Sequence, residues 1–425
     1  MLTVSTGKLG AANLAFCPMD EVESISVGLW FNVGSRYEPQ GLQGGAHFLE
    51  HMLFKGTRQR NALKISQDIE SKGGDLNAFT SEEMTCYYAR MGADHLDLVL
   101  DVLFDMLWNS SFPKLEVERE RGVILEEIRM YEDQPTSLAM DRLNEALWKG
   151  NSLGLPVAGT PTSVGAIPRD KLMQFWKNHY HSQTTTVVLA GNFSEENVRK
   201  KLAPYLNKRV GPTATPTYSR MKPPRTRTLQ VLPIVKPFQQ SSLALGIRGY
   251  ARKNPKCYAE KILSVLLGEN MSSRLFQSLR EQHGLAYSVQ TSTNHFYDCG
   301  AFYLQLGVDT ANILASMKLT GKELRRIIMK KPSLAELQGA KDYLIGQTKL
   351  SMESTSNRMM WLGESLVGLG YVEDLKISMA KIQAVTPEQV SLIAAELFQP
   401  GRMVLTCVGP DVTEKLLRSA GKELF

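Results

Sequence analysis

A proline-rich stretch with the same succession of elements on either side of it constrains this chain most. From Gly211 to Pro237 the sequence GPTATPTYSRMKPPRTRTLQVLPIVKP holds six prolines and little helical periodicity. Each proline removes a backbone donor and restricts the residue before it, so the stretch reads as a linker. Ahead of it, a strand in SISVGLWFNVG, with Ile25, Val27, Leu29 and Phe31 on one face, leads to helices in GGAHFLEHMLF and ALKISQDIESKGG. An extended pair, LNAFTSEEMTCYYARM, and a helix, HLDLVLDVLFDML, follow. Behind it, SSLALGIRGY, PKCYAEKILSVLLG, MSSRLFQSLREQHG, LAYSVQTSTNHFYDCGAFYLQL and NILASMKLTGKELRRII give that order again, which suggests a duplication. Hairpin-length links between strands and runs of helices make the expected class α+β. Two homologous domains, at 1–211 and 238–425 with a linker at 212–237, would each have a largely antiparallel sheet with helices packed on one face. Near Ser333, the sequence SLAELQGAKDYLIGQTKLSMEST opens with a capping-box pair, Ser333 and Glu336, and continues as a long helix.

Composition excludes several classes. A length of 425 residues suits two to three domains, and 43% hydrophobic with 22% charged residues rules out disorder, collagen and coiled coil. No apolar run approaches the roughly 18 residues needed to cross a bilayer. The N-terminal MLTVSTGKLGAANLAFCPMDE lacks the basic start, apolar block and small-residue cleavage site of a secretory signal, so a cytoplasmic location is expected. The net charge of +6 is spread along the chain apart from a short basic run, Ser219–Arg227, and neither nucleic acid nor membrane is an expected partner. The cysteines Cys17, Cys86, Cys257, Cys299 and Cys407 are odd in number, far apart and without C-x-x-C, which fits packing residues in a reducing compartment.

The chemistry concentrates at HFLEH. On a helix His47 and His51 are at i and i+4, with Glu50 at i+3 on the same face. Two imidazoles at this spacing suit zinc and leave Glu50 beside an open coordination position as a general base, in the inverted order of the better-known H-E-x-x-H. With seven histidines and 43 acidic residues, such a motif arises by chance in roughly 0.01 of chains of this composition. The bland alternative is a helix with two satisfied histidines. A catalytic zinc needs a third protein ligand, and the strongest source is ERERGVILEEIRMYEDQP. That helix carries an apolar stripe at Val117, Val123, Ile124 and Ile128, and Glu120 and Glu127 lie seven apart on one face. Residue reasoning leaves Glu126 and Glu127 both open. His179 and His181, at i and i+2, read as surface or packing residues.

GGAHFLEHMLFKGT, GGDLNAFTSEEMTCYYARM and ERERGVILEEI resemble the pitrilysin and insulin-degrading enzyme family of inverted zinc metallopeptidases, in particular its short-chain branch, similar to the β subunit of mitochondrial processing peptidase. The likeness covers nearly the whole chain, and LSMESTSNRMM resembles a segment of bacterial members. It implies a duplicated α+β fold and one Zn2+ per chain, held by His47, His51 and a glutamate 76 positions after the second histidine, Glu127. Glu120 would orient a ligand from outside the coordination sphere. The family's substrate-binding edge strand falls on Asn77, Ala78, Phe79 and Thr80, and its oxyanion-stabilising pair on Arg280 and Tyr287. The second half has VLLGE where the first has HFLEH, and so keeps no metal site.

The resemblance implies a zinc metalloendopeptidase, with catalytic Glu50, Arg280 and Tyr287, acting on peptides or short unfolded segments held as a strand in an enclosed cavity. The family also supplies noncatalytic structural or partner subunits, but those typically lose part of the zinc motif, which is complete here. In the family's longer members the arginine and tyrosine lie in the half that faces the zinc. One chain of this length therefore implies a homodimer in which a partner subunit completes each site.

Overall fold

The computed structural model describes residues 3–209, 211, 217–222 and 228–425. Within the expected linker, 212–216 and 223–227 lie outside the described residues, as does part of the basic run.

Alternating apolar residues build two sheets. The first holds β1 (Ser5–Leu9), β2 (Ala12–Pro18), β3 (Ser24–Phe31), β4 (Asp75–Thr80), β5 (Thr85–Gly92) and β6 (Thr185–Gly191), in the order β1-β2-β6-β3-β5-β4. The second holds β7 (Gln230–Val235), β8 (Ser241–Gly249), β9 (Ala286–His295), β10 (Gly300–Val308) and β11 (Met403–Gly409), in the order β7-β11-β8-β10-β9. Removing β1 makes the two orders equivalent, strand for strand. Each sheet is antiparallel except at one junction, β2 with β6 and β7 with β11. The α+β class and the repeated unit thus agree with the sequence reading, with one parallel neighbour per sheet as an added detail. The strands β4 and β9 occupy equivalent edges.

Two compact units contain these sheets, and neither is continuous in sequence. One comprises Met1–Arg129, Leu155–Ser219 and Lys349–Val372; the other Met130–Gly154, Arg220–Thr348 and Glu373–Phe425. Each half of the chain therefore gives one helix to the other unit. In the first unit Ile25, Val27, Leu29 and Phe31 share one face of β3, as expected from the alternation, but Gly28 and Trp30 on the opposite face are buried too. The helix Thr355–Leu369 covers that face, packing Met359 and Leu362 against Trp30, Cys86 and Val188. The approach is so close that a Cβ at Gly363 would meet Trp30 Cε2 at 2.0 Å. LSMESTSNRMM, which carries no chemistry, thus supplies the Ser354 cap and first turns of a sheet-covering helix. In the second unit the reciprocal helix comes from the first half: Leu138, Ala139 and Leu143 pack against Ala244, Ala301 and Val404. Helices therefore lie on both faces of each sheet, where one face was expected.

The capping signal near Ser333 is half realised. Ser333 Oγ accepts the Glu336 amide at 3.1 Å, but the Glu336 carboxylate turns instead to Arg274, at 2.6 and 2.9 Å. A bidentate guanidinium contact outcompetes one backbone amide. All five cysteines are free and four of them are buried. Among the described residues no helix is long and apolar enough to cross a membrane.

Candidate metal centre

The helix α1 (Gly45–Leu53) starts where Gly44 takes φ 88°. A Cβ there would meet the Ala158 carbonyl at 2.7 Å, so glycine is required on both conformational and steric grounds. The amides of Gly44 and Ala46 donate to the Glu38 carboxyl at 2.9 and 2.7 Å, which satisfies the start of the helix, and burial pushes that carboxyl up to about 8. Phe48, Leu49 and Met52 are fully buried. That burial turns His47, Glu50 and His51 to the opposite, half-open face.

Two further helices, α2 (Ala62–Glu70) and α3 (Leu96–Asn109), precede α4 (Lys114–Glu132), which crosses this face with Val117, Glu120, Ile124 and Ile128 buried. Val123, assigned to the apolar stripe by sequence, is instead 49% exposed. Glu120 takes its place among the buried positions because its charge is matched. Its Oε2 accepts from His51 Nδ1 at 3.1 Å and its Oε1 pairs with Lys55 Nζ at 2.7 Å. Burial alone would raise the Glu120 carboxyl, but the His51 and Lys55 contacts bring it below its ordinary range. This contact with Glu120 through Nδ1 leaves His51 Nε2 facing Glu127.

Glu127 lies two turns further on. Its Oε2 is 3.6 Å from His51 Nε2 and its Oε1 is 3.8 Å from His47 Nε2. Glu126 points away to solvent and pairs with Arg129. His47, His51 and Glu127 bring one ligand atom each within 4.8 Å of one another. Burial, and then the neighbouring His51, pushes the His47 imidazole down to about 4, so it is neutral and able to donate a lone pair. Two imidazoles and one carboxylate fit a divalent zinc-class ion and leave room for a fourth ligand. Beside them Glu50 accepts from Thr80 Oγ1 at 2.5 Å, and burial raises its carboxyl despite that bond.

Asn77, Ala78, Phe79 and Thr80 lie on β4, the free edge of the first sheet. The outward Ala78 amide donates to the Asn77 side-chain oxygen at 2.8 Å. In the second unit Arg280 projects from a wide helical turn, Phe276–Gln282, and donates to the Tyr287 carbonyl at 2.9 Å. Tyr287 is the unpaired residue of a β-bulge, since Ala286 opposes Val308 and Ser288 opposes Gly307. Its ring, 47% exposed, lies over Gly307. His179 packs against Phe175, and His181 is buried and bonded to Gln183 and the Asn178 carbonyl, so both are packing residues.

Sequence reasoning missed Lys55 and Glu38. Lys55 follows His51 by one helical turn and an i, i+4 search for a counter-charge would have reached it. Glu38 lies in a loop and has no periodic signal.

Residues 18–161 match the insulinase family, peptidase family M16, and residues 166–344 match the peptidase M16 inactive domain. An uncharacterized zinc protease of Streptomyces coelicolor is 36% identical over 396 residues, covering 92% of this chain and 86% of that protein. A second, from Bacillus subtilis, is 35% identical over 381 residues, covering 89% and 91%. A crystal structure of a protease from Helicobacter pylori superposes with TM-score 0.90 over 96% of this chain and 100% of that one, at 21% identity. A Pseudomonas fluorescens structure described as a peptidase M16 inactive domain gives 0.88 over 97% and 99%, at 22% identity. With family matches over both halves and relatives above 30% identity along nearly its whole length, the chain belongs to the insulinase family of peptidases, family M16.

Proposed function

We propose that this chain is a zinc-dependent endopeptidase that hydrolyses peptides or short unfolded segments bound as an extended strand. The observation that carries this reading is the convergence of His47 Nε2, His51 Nε2 and the Glu127 carboxylate beside a fourth polar group, Glu50, that is not needed as a ligand. Bound zinc supplies Lewis acidity, polarising a carbonyl and making water a better nucleophile. Glu50 takes the proton from the attacking water and returns it to the leaving amine, while Thr80 Oγ1 keeps one carboxylate oxygen occupied and the other aimed outward. Glu120 holds His51 in the tautomer that directs Nε2 at the ion.

Substrate adds to the edge of β4 by main-chain hydrogen bonds, and the Asn77 side chain swings off the Ala78 amide to admit it. Arg280 and Tyr287 of a partner copy donate to the oxyanion, which makes the working unit a homodimer. The reading is tested on the purified chain with an internally quenched peptide. Chelation should abolish cleavage and zinc should restore it. Cleavage indifferent to chelation, or none at saturating zinc across a mixed peptide library, would overturn it.

Two role assignments have their own tests. Glu127→Gln should lose the zinc of this centre on dialysis, whereas Glu126→Gln, which alters only a solvent-exposed pair with Arg129, should keep it. Equal losses would mean that the wrong carboxylate has been chosen. Lys55→Met frees Glu120 to leave His51, so zinc affinity measured by chelator competition should fall by about 10-fold, and Lys55→Arg should recover most of it. Unchanged affinity in Lys55→Met would reduce Lys55 to a surface charge.

A further inference from the structure

In the second unit VLLGE forms a wide helical turn, Val265–Glu269, and offers no pair of imidazoles. A different set of ligand-type side chains gathers just before it. The helix Cys257–Ser264 carries Cys257 and Glu260 at i and i+3, and His295, the last residue of β9, packs onto both. His295 Nδ1 is 3.4 Å from Cys257 Sγ, and Nε2 is 3.3 Å from Glu260 Oε2. Cys257 is 7% exposed, the His295 side chain 9%, and Glu260 has no exposure at all.

This cluster is poorly satisfied. Neither Glu260 oxygen nor His295 Nε2 has a well-aligned hydrogen bond, although the Tyr250 amide approaches the carboxylate. Burying an unmatched carboxyl is costly, and native proteins fill such places with water or an ion. The backbone also makes way for this carboxyl, because a Cβ at Gly249 would meet Glu260 Oε1 at 2.2 Å.

We propose that Cys257, Glu260 and His295 form a second metal site, separate from the His47, His51 and Glu127 centre, which takes a zinc-class ion through thiolate, carboxylate and imidazole. One donor atom from each lies within 4.8 Å of the other two. Zinc bonds of these kinds set ligand atoms about 3.3 to 3.8 Å apart, so loading draws the three side chains inward. The donor set selects the ion. Arg252, Lys261 and Arg402 act on this cluster, which disfavours a hard cation held by net charge alone, while sulfur and imidazole favour zinc-class ions. Desolvation pushes the Cys257 thiol up to about 12 and Glu260 up to about 8, and pushes His295 down to about 4. Binding therefore displaces the Cys257 proton, and the Glu260 proton where it is present, with no change of oxidation state. The ion ties the start of the helix to the end of β9, whose opposite end carries Tyr287.

Cobalt distinguishes this site, because the His47, His51 and Glu127 centre has no sulfur. Titrating the metal-free, reduced full chain with Co2+ should bind two ions per chain and produce a thiolate-to-cobalt charge-transfer band in the near ultraviolet. The band should vanish in Cys257→Ser, weaken at least about 10-fold in apparent affinity in His295→Ala, and persist in His51→Ala. Absence of the band in the unmodified chain, or its survival in Cys257→Ser, would overturn the proposal and leave the cluster as an ion-free contact in which the Cys257 thiol donates to the Ala251 carbonyl. The unmodified chain decides the question even where a variant fails to fold.

Discussion

Glu50→Gln is expected to retain a full complement of zinc and to lose peptide hydrolysis by about 10²- to 10⁴-fold, the range for removing a positioned general base. The substitution is nearly isosteric, and a glutamine oxygen can still accept from Thr80 Oγ1, so the local packing survives. The amide cannot accept a proton from water at neutral pH. His47→Ala and His51→Ala should behave differently, because each deletes one of the three converging ligand atoms and should empty that centre together with the activity. Metal content and initial rates, measured on the same dialysed samples, separate the two roles. Loss of zinc in Glu50→Gln would make Glu50 a ligand, and an unchanged rate would make it a bystander; either result ends the assignment.

Mixing two damaged homodimers should restore activity that neither possesses. In the proposed shared site, Tyr287→Phe would remove one oxyanion donor and should cost on the order of 10²-fold. In a mixed dimer with Glu50→Gln, one site carries both lesions and the other carries none, provided that each site draws Glu50 from one subunit and Tyr287 from its partner. Random exchange makes half of the dimers mixed, so up to about one quarter of wild-type sites should return. Subunit exchange is verified independently with differently tagged copies. Exchange without recovered activity would mean that Tyr287 acts within its own chain or not at all, and the shared site would be discarded.

Much of this centre is local. His47, Glu50 and His51 fall on one face of any helix with that spacing, and the buried Phe48, Leu49 and Met52 decide which way the face turns. The repeated order of elements was visible because strand and helix periods survive in both halves, and the two sheets have equivalent strand orders once β1 is set aside. Arg280 and Tyr287 were singled out only through the family resemblance, and nothing in the sequence marked the β-bulge at Tyr287.

Tertiary structure decided the remainder. Glu126 and Glu127 are adjacent and chemically identical, and only the docking of α4 beside α1 turns Glu127 toward the imidazoles and leaves Glu126 in solvent. Lys55 and Glu120 meet because the end of one helix meets the flank of another, a contact 65 residues apart in the chain that no local period encodes. The exchange of helices between the two halves was hidden for the same reason. An amphipathic helix states which of its faces must be buried, but any apolar sheet face of the right shape satisfies it. Gly363 under the Trp30 ring, and Leu143 against Gly246, are the steric complements that select the sheet, and shape complementarity between distant segments exists only once both have folded.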